Sequence, residues 1–243
     1  MSVERRRLET AFLLRWVLAT TLGGALAAVI GGGVFVPIIM ISVLSGYSVG
    51  PFWLVFAAAL VGLGLSILGV AQRVVLRPYI TTIKWWARAT TLGAAAGVGM
   101  AAYVYGNLHL DNSVCELMGL SPYRGCSSAS PWQTLVAGGV NGAAAGTLFG
   151  ACLGLAQSLA LLEHFPKVQW YVLGSSLGGF VGGLSFGMGE LAGSILHVGA
   201  AVAVGIALGA LIFSAITGLT LISLLRRLPP RPPGHGPKRQ SVA

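Results

Sequence analysis

Three stretches decide the fold: Trp16-Val-Leu-Ala-Thr-Thr-Leu-Gly23, Trp86-Ala-Arg-Ala-Thr-Thr-Leu-Gly93 and Tyr171-Val-Leu-Gly-Ser-Ser-Leu-Gly178. Each sets an aromatic residue seven positions before the glycine of a Leu-Gly step, with two adjacent hydroxyl residues between them. A second element follows each stretch at a distance: Gly69-Val-Ala-Gln72, Gly154-Leu-Ala-Gln157 and Gly218-Leu-Thr-Leu221, the last without its glutamine. Self-similarity at this scale marks a chain built from repeated supersecondary units. The units read here as helical hairpins, at about 12–80, 81–166 and 167–227.

Around these motifs lie six long apolar stretches, roughly 12–44, 52–76, 84–106, 131–162, 169–190 and 197–225. Each reaches or exceeds the ~20 residues that a helix needs to cross a hydrocarbon core. Of the 243 residues, 55% are hydrophobic and 9% charged, against about 25% charged in soluble domains. The apolar runs are continuous, whereas a membrane β-barrel alternates. The expected fold is therefore all-α and polytopic, with six transmembrane helices in one domain over 1–227. The first stretch is longer than one crossing requires, and Gly31, Gly32, Gly33 and Pro37 are expected to kink it or end its regular part. It is also too long for a cleavable signal's apolar core, and Arg15 sits where that core would begin.

Position explains the net charge of +9. Arg5, Arg6, Arg7, Arg15, Arg73, Arg77, Lys84, Arg88, Lys167, Arg226, Arg227, Arg231, Lys238 and Arg239 all fall in alternate connections, and only Arg124 lies opposite. That asymmetry is the positive-inside pattern. It puts both termini on the cytoplasmic side of a cell (inner) membrane, with the lipid bilayer rather than nucleic acid as the partner. The proline-rich, basic stretch 228–243 reads as a disordered cytoplasmic tail.

A two-helix unit re-enters the membrane from the same side each time, so the copies are parallel and related by an axis along the membrane normal. Glycine supplies the packing. Gly138, Gly142, Gly146, Gly150 and Gly154 recur every four residues, as do Gly174, Gly178 and Gly182. That spacing lines one helix face and lets a neighbouring backbone approach closely, as in a glycine zipper.

Few residues suggest chemistry. Cys115 and Cys126 share the one sizeable outer loop, 107–131, and are expected to form a disulfide, the alternative being two free thiols. Gln72, Gln157 and Asn141 are polar groups within spans, and Glu190 and His197 flank the outer turn between spans five and six. These five are candidates for a polar site; helix–helix hydrogen bonding and an interfacial turn are the plainer readings. Trp85, Trp86, Trp170 and Tyr171 read as interfacial anchors. Nucleotide fingerprints, nucleophile motifs and metal-ligand clusters are missing, so no catalytic, cofactor or metal residue is assigned and no enzyme is expected.

The Gly-x-Ala-Gln element, followed by basic residues, Trp-Trp and Leu-Gly, resembles a class of bacterial multi-pass membrane proteins built from such hairpins. The resemblance covers nearly the whole chain and implies no particular activity. In architecture alone, three tandem hairpins are similar to mitochondrial carriers. The carrier signature of proline, acidic and basic residues does not follow spans one, three or five, so transport is not carried over. The expected function is a non-enzymatic accessory, structural or assembly component of a membrane complex, with other membrane subunits as partners. A channel or transporter for a small neutral or lipid-like molecule is the alternative.

Overall fold

The structure is a computed structural model, described over residues 3–44, 51–80, 83–108, 131–165, 167–195 and 198–227. It contains six α-helices: α1 (Val3–Leu44), α2 (Pro51–Leu76), α3 (Trp86–Leu108), α4 (Pro131–Leu161), α5 (Gln169–Ile195) and α6 (Val198–Leu225). The described residues contain no strand. The six helices coincide with the six apolar stretches, except that α1 begins well before residue 12 and passes unbroken through Gly31, Gly32, Gly33 and Pro37. Glu4 in its first turn suits the positive end of a helix dipole. Pro51 and Pro131 open α2 and α4, where a missing N–H costs nothing.

The ends of α2 and α4 are built alike. Leu76 O accepts from Tyr79 N and Ile80 N, each at 2.9 Å. Leu161 O accepts from His164 N at 2.9 Å and Phe165 N at 3.0 Å. Both leucines are fully buried, in one cluster with Ile80, Ile83, Phe165 and Val168.

Each helix packs on its neighbours in sequence, and α1 packs on α6, so the six close into a ring. Polar side chains turn into the ring beside its apolar core, while many large aliphatic side chains turn outward. Thr20, Gln72, Thr90, Asn141, Gln157, Ser158, Ser175, Ser214 and Thr217 are buried. Leu14, Leu18, Leu22 and Leu26 on α1, Val70 and Val74 on α2, Leu155 and Leu159 on α4, and Leu173 and Leu177 on α5 are exposed. Among the described residues, two segments, Gly138–Leu161 and Ala207–Leu225, are long and apolar enough to cross a membrane.

Candidate functional site

The odd-numbered helices carry the aromatic residues of the repeated motif into the centre of the ring. Trp16 and Trp86 are fully buried and Tyr171 is 1% exposed. The Trp16 and Trp86 ring centroids lie 6.1 Å apart at 72°, and those of Trp86 and Tyr171 lie 6.2 Å apart at 59°. Such edge-on and tilted pairs are favourable for aromatic quadrupoles. One turn further along each helix, on the same face, come the buried hydroxyls of Thr20, Thr90 and Ser175.

The even-numbered helices answer with amides. Gln72 Oε1 accepts from Trp86 Nε1 at 3.2 Å and from Gln157 Nε2 at 3.0 Å, while Gln72 Nε2 donates to Thr20 Oγ1 at 3.1 Å. Gln157 Oε1 accepts from the Tyr171 hydroxyl at 2.8 Å, and Gln157 Nε2 also donates to Thr90 Oγ1 at 2.8 Å. An indole N–H can only donate, so Trp86 fixes which end of the Gln72 amide faces it. That choice in turn makes Gln72 Oε1 the acceptor for Gln157.

The closure between α6 and α1 is made differently. Trp16 Nε1 donates to Thr217 Oγ1 at 3.2 Å, and the Thr217 hydroxyl donates in turn to the carbonyl of Phe213 at 2.9 Å. Ser214 donates to Leu211 O, which leaves its oxygen to accept from Thr21, at 3.3 Å. Ser175, fully buried, faces the Tyr171 hydroxyl, but its Oγ makes no hydrogen bond of normal geometry.

Backbone approach sets these distances. A Cβ on Gly69 would lie 2.9 Å from Ala87 Cα and from Thr90 Cβ, and one on Gly154 would lie 2.7 Å from Ser175 Cβ. A Cβ on Gly218 instead meets Trp16 Cδ1 at 2.7 Å. Gly23 seats on Leu68, Gly93 on Leu153 and Gly178 on Phe213. Between α4 and α5 the backbones touch: a Cβ on Gly146 would fall on the Gly179 carbonyl, one on Gly150 on the Ser175 carbonyl, and one on Gly183 on the Gly142 carbonyl. Gly174 seats on Thr220, Gly182 on Gly209, and Gly138 is a half-buried position of α4.

Of the five polar candidates, Gln72 and Gln157 meet. Asn141 is buried on α4 but sixteen residues from Gln157, about 24 Å along a helix, so it belongs to another level. Glu190 lies in α5, but its side chain is outside the described residues, as are His197, Cys115 and Cys126. Cys152 is a half-buried free thiol.

The interfacial reading of the aromatic pairs needs correction. Trp85 and Trp170 are exposed, at 63% and 52%, whereas Trp86 and Tyr171 are buried. Neighbouring residues on a helix point about 100° apart, so one member of each pair faces outward and the other reaches the amides. Thr217 was hidden in the sequence because its residue type carries no motif; its signal was its place beside Gly218. Among the described residues, no three His, Cys, Asp or Glu side chains converge as metal ligands.

Near the α1–α6 closure, a cleft of about 170 Å³ is lined by Leu8, Glu9, Phe12, Tyr79, Ile222, Leu225 and Arg226. Arg226 donates from Nε to Glu9 Oε1 at 2.8 Å and from Nη2 to Glu9 Oε2. This carboxylate raises the guanidinium's already high pKa. At the same end of the ring, Arg88 lies over the Trp85 ring, 4.7 Å from its centroid. No protein-family model, curated protein or solved structure matches the chain.

Proposed function

We propose that this chain is an integral membrane protein of the cell (inner) membrane that crosses the bilayer six times, both ends cytoplasmic, as three hairpins around an approximate threefold axis. Its work is structural: a non-enzymatic accessory or assembly component of a larger membrane complex. The observation that carries this reading is the cyclic network at the axis. The aromatic residue of each hairpin donates to the second helix of the preceding one: Trp86 to Gln72, Tyr171 to Gln157 and Trp16 to Thr217. The groups at the centre are neutral, hydrogen-bonded to one another except at Ser175, and packed ring against ring, which suits a rigid pillar better than a passage. In a hydrocarbon surrounding, polar groups turned inward and leucines turned outward are the expected arrangement. Outside water, the glycine-zipper approach of α4 and α5 supplies the packing that brings helices together.

The same reading sets the register of the third copy. Leu68, Leu153 and Phe213 are equivalent under the motif glycines, and so are Gln72, Gln157 and Thr217 under the aromatic donors. Fully buried Leu76, Leu161 and Leu221 follow four residues later. The third element is thus Ser214-Ala-Ile-Thr217, one helical turn before the Gly218 step that the sequence suggests.

Native mass spectrometry of protein extracted gently from its own membranes tests the function. Stoichiometric protein partners are expected. A lone chain or homo-oligomer carrying a small neutral or lipid-like molecule would replace the structural reading with the transport one.

A further inference from the structure

We propose that the cleft at the α1–α6 closure holds one anionic phospholipid, with its phosphate on Arg226 and Arg227 and the start of an acyl chain on Leu8, Phe12 and Ile222. The proposal rests on the membrane reading above. The chemistry of the ion pair points to it. Glu9 engages the Nε side of the guanidinium, consuming the Nε hydrogen and one on Nη2. The two hydrogens on Nη1 and the second on Nη2 are directed away from Glu9, forming a fork suited to phosphate oxygens. The Arg226 side chain is 48% exposed and that of Glu9 is 17% exposed, so the outward edge belongs to the arginine.

Local charge agrees. Arg6, Arg7 and Arg227 are exposed on the same two helix ends, against the acids Glu4 and Glu9, and the excess is positive. Basic pockets between helices on the cytoplasmic side bind anionic headgroups by this physics. The floor of the cleft is apolar: Phe12 and Ile222 are buried, and Tyr79 meets Phe12 edge-on with centroids 5.0 Å apart.

The test titrates the full-length protein in detergent with phosphatidylglycerol or phosphatidylcholine and counts bound lipids by native mass spectrometry. One copy of phosphatidylglycerol is expected to bind in preference to phosphatidylcholine. Arg226→Gln with Arg227→Gln should weaken it roughly thirty-fold, from about 1 kcal/mol per basic group, while Lys84→Gln with Arg88→Gln should leave it unchanged. Leu8→Trp, at an exposed position, should displace the lipid with every charge retained, and it decides the matter where the double arginine variant fails to fold. Equal binding of the two lipids, equal loss with both double variants, or full retention in Leu8→Trp would overturn the site. Extraction by alkaline carbonate tests the membrane reading separately. Protein that stays in the membrane but shows no lipid preference loses the site alone.

Discussion

At the residue scale, the two glutamines do different amounts of work. Gln157 accepts from Tyr171 and donates to both Gln72 and Thr90. Gln157→Leu therefore strands a buried tyrosine hydroxyl and removes three hydrogen bonds, and it should cost about 2–3 kcal/mol. Thr217→Val, which strands the Trp16 indole N–H and gives up the hydroxyl's own bond to the Phe213 carbonyl, should cost about 1 kcal/mol. Unfolding by SDS titration in mixed micelles measures both, and a Thr217 variant as stable as the parent would refute the cyclic network. Ser175 and Thr90 make a sharper pair. Both are fully buried one turn beyond a motif aromatic, yet Thr90 accepts from Gln157 whereas Ser175 Oγ has no such bond. Thr90→Ala should cost about 1 kcal/mol, and Ser175→Ala should be neutral or slightly stabilising, because deleting an unpaired buried hydroxyl removes a desolvation penalty. The physical cause is side-chain length: threonine at 217 is too short to reach Ser175 as Gln72 reaches Thr20 and Gln157 reaches Thr90.

At the element scale, position sorts the glycines. A Cβ on Gly179 would fall on the Gly146 carbonyl, whereas one on Gly24 or Gly99 meets nothing within 4 Å. Backbone cannot yield as a flexible side chain does, so Gly179→Ala should cost about 3 kcal/mol or prevent folding. Gly24→Ala and Gly99→Ala should be tolerated, gaining up to about 1 kcal/mol of helix propensity where water reaches them; thermal denaturation in detergent separates the two groups. Much of this was legible in the sequence. Four-residue spacing picked out Gly146 and Gly150, and the hairpin motif picked out Gln72 and Gln157 as related positions. Their direct contact, bridging 85 residues, was not legible, because the spacing between hairpins depends on packing rather than on any local rule. Nor was the register of α6. A search for glycine lands on Gly218, while Ser214 takes the small position and Thr217 the polar one. Residue type misleads there, and only the burial of Leu221 with Leu76 and Leu161 corrects it. The aromatic doublets were half legible: composition marks them as interfacial, but the turn of the helix sends Trp86 and Tyr171 inward.

At the scale of the whole molecule, the charge pattern, the exposed leucines and the buried network are the support for the proposed arrangement in the bilayer. The proposed orientation puts both ends of the chain on the side of the basic connections and segment 107–131, after the third helix, on the opposite side. Reversing that arrangement would send the arginines of the basic connections across the hydrocarbon, where each costs roughly 2.5–3.5 kcal/mol at mid-membrane. Orientation should therefore be single rather than mixed. Two probes read it in a background with the native cysteines replaced: Ser113→Cys in the outer loop and Ser241→Cys near the C-terminus. In intact spheroplasts, a membrane-impermeant maleimide should label Ser113→Cys and leave Ser241→Cys untouched until the membrane is opened. Inverted vesicles should give the converse. Labelling of both positions from one face would mean an even number of crossings between them and would rule out six spans. Labelling of Ser241→Cys from outside would keep the spans but reverse the orientation, moving the cleft with Glu9 and Arg226 to the outer leaflet. That reversal would leave the hydrogen-bonded centre intact, since its groups carry no charge whichever way the ring points.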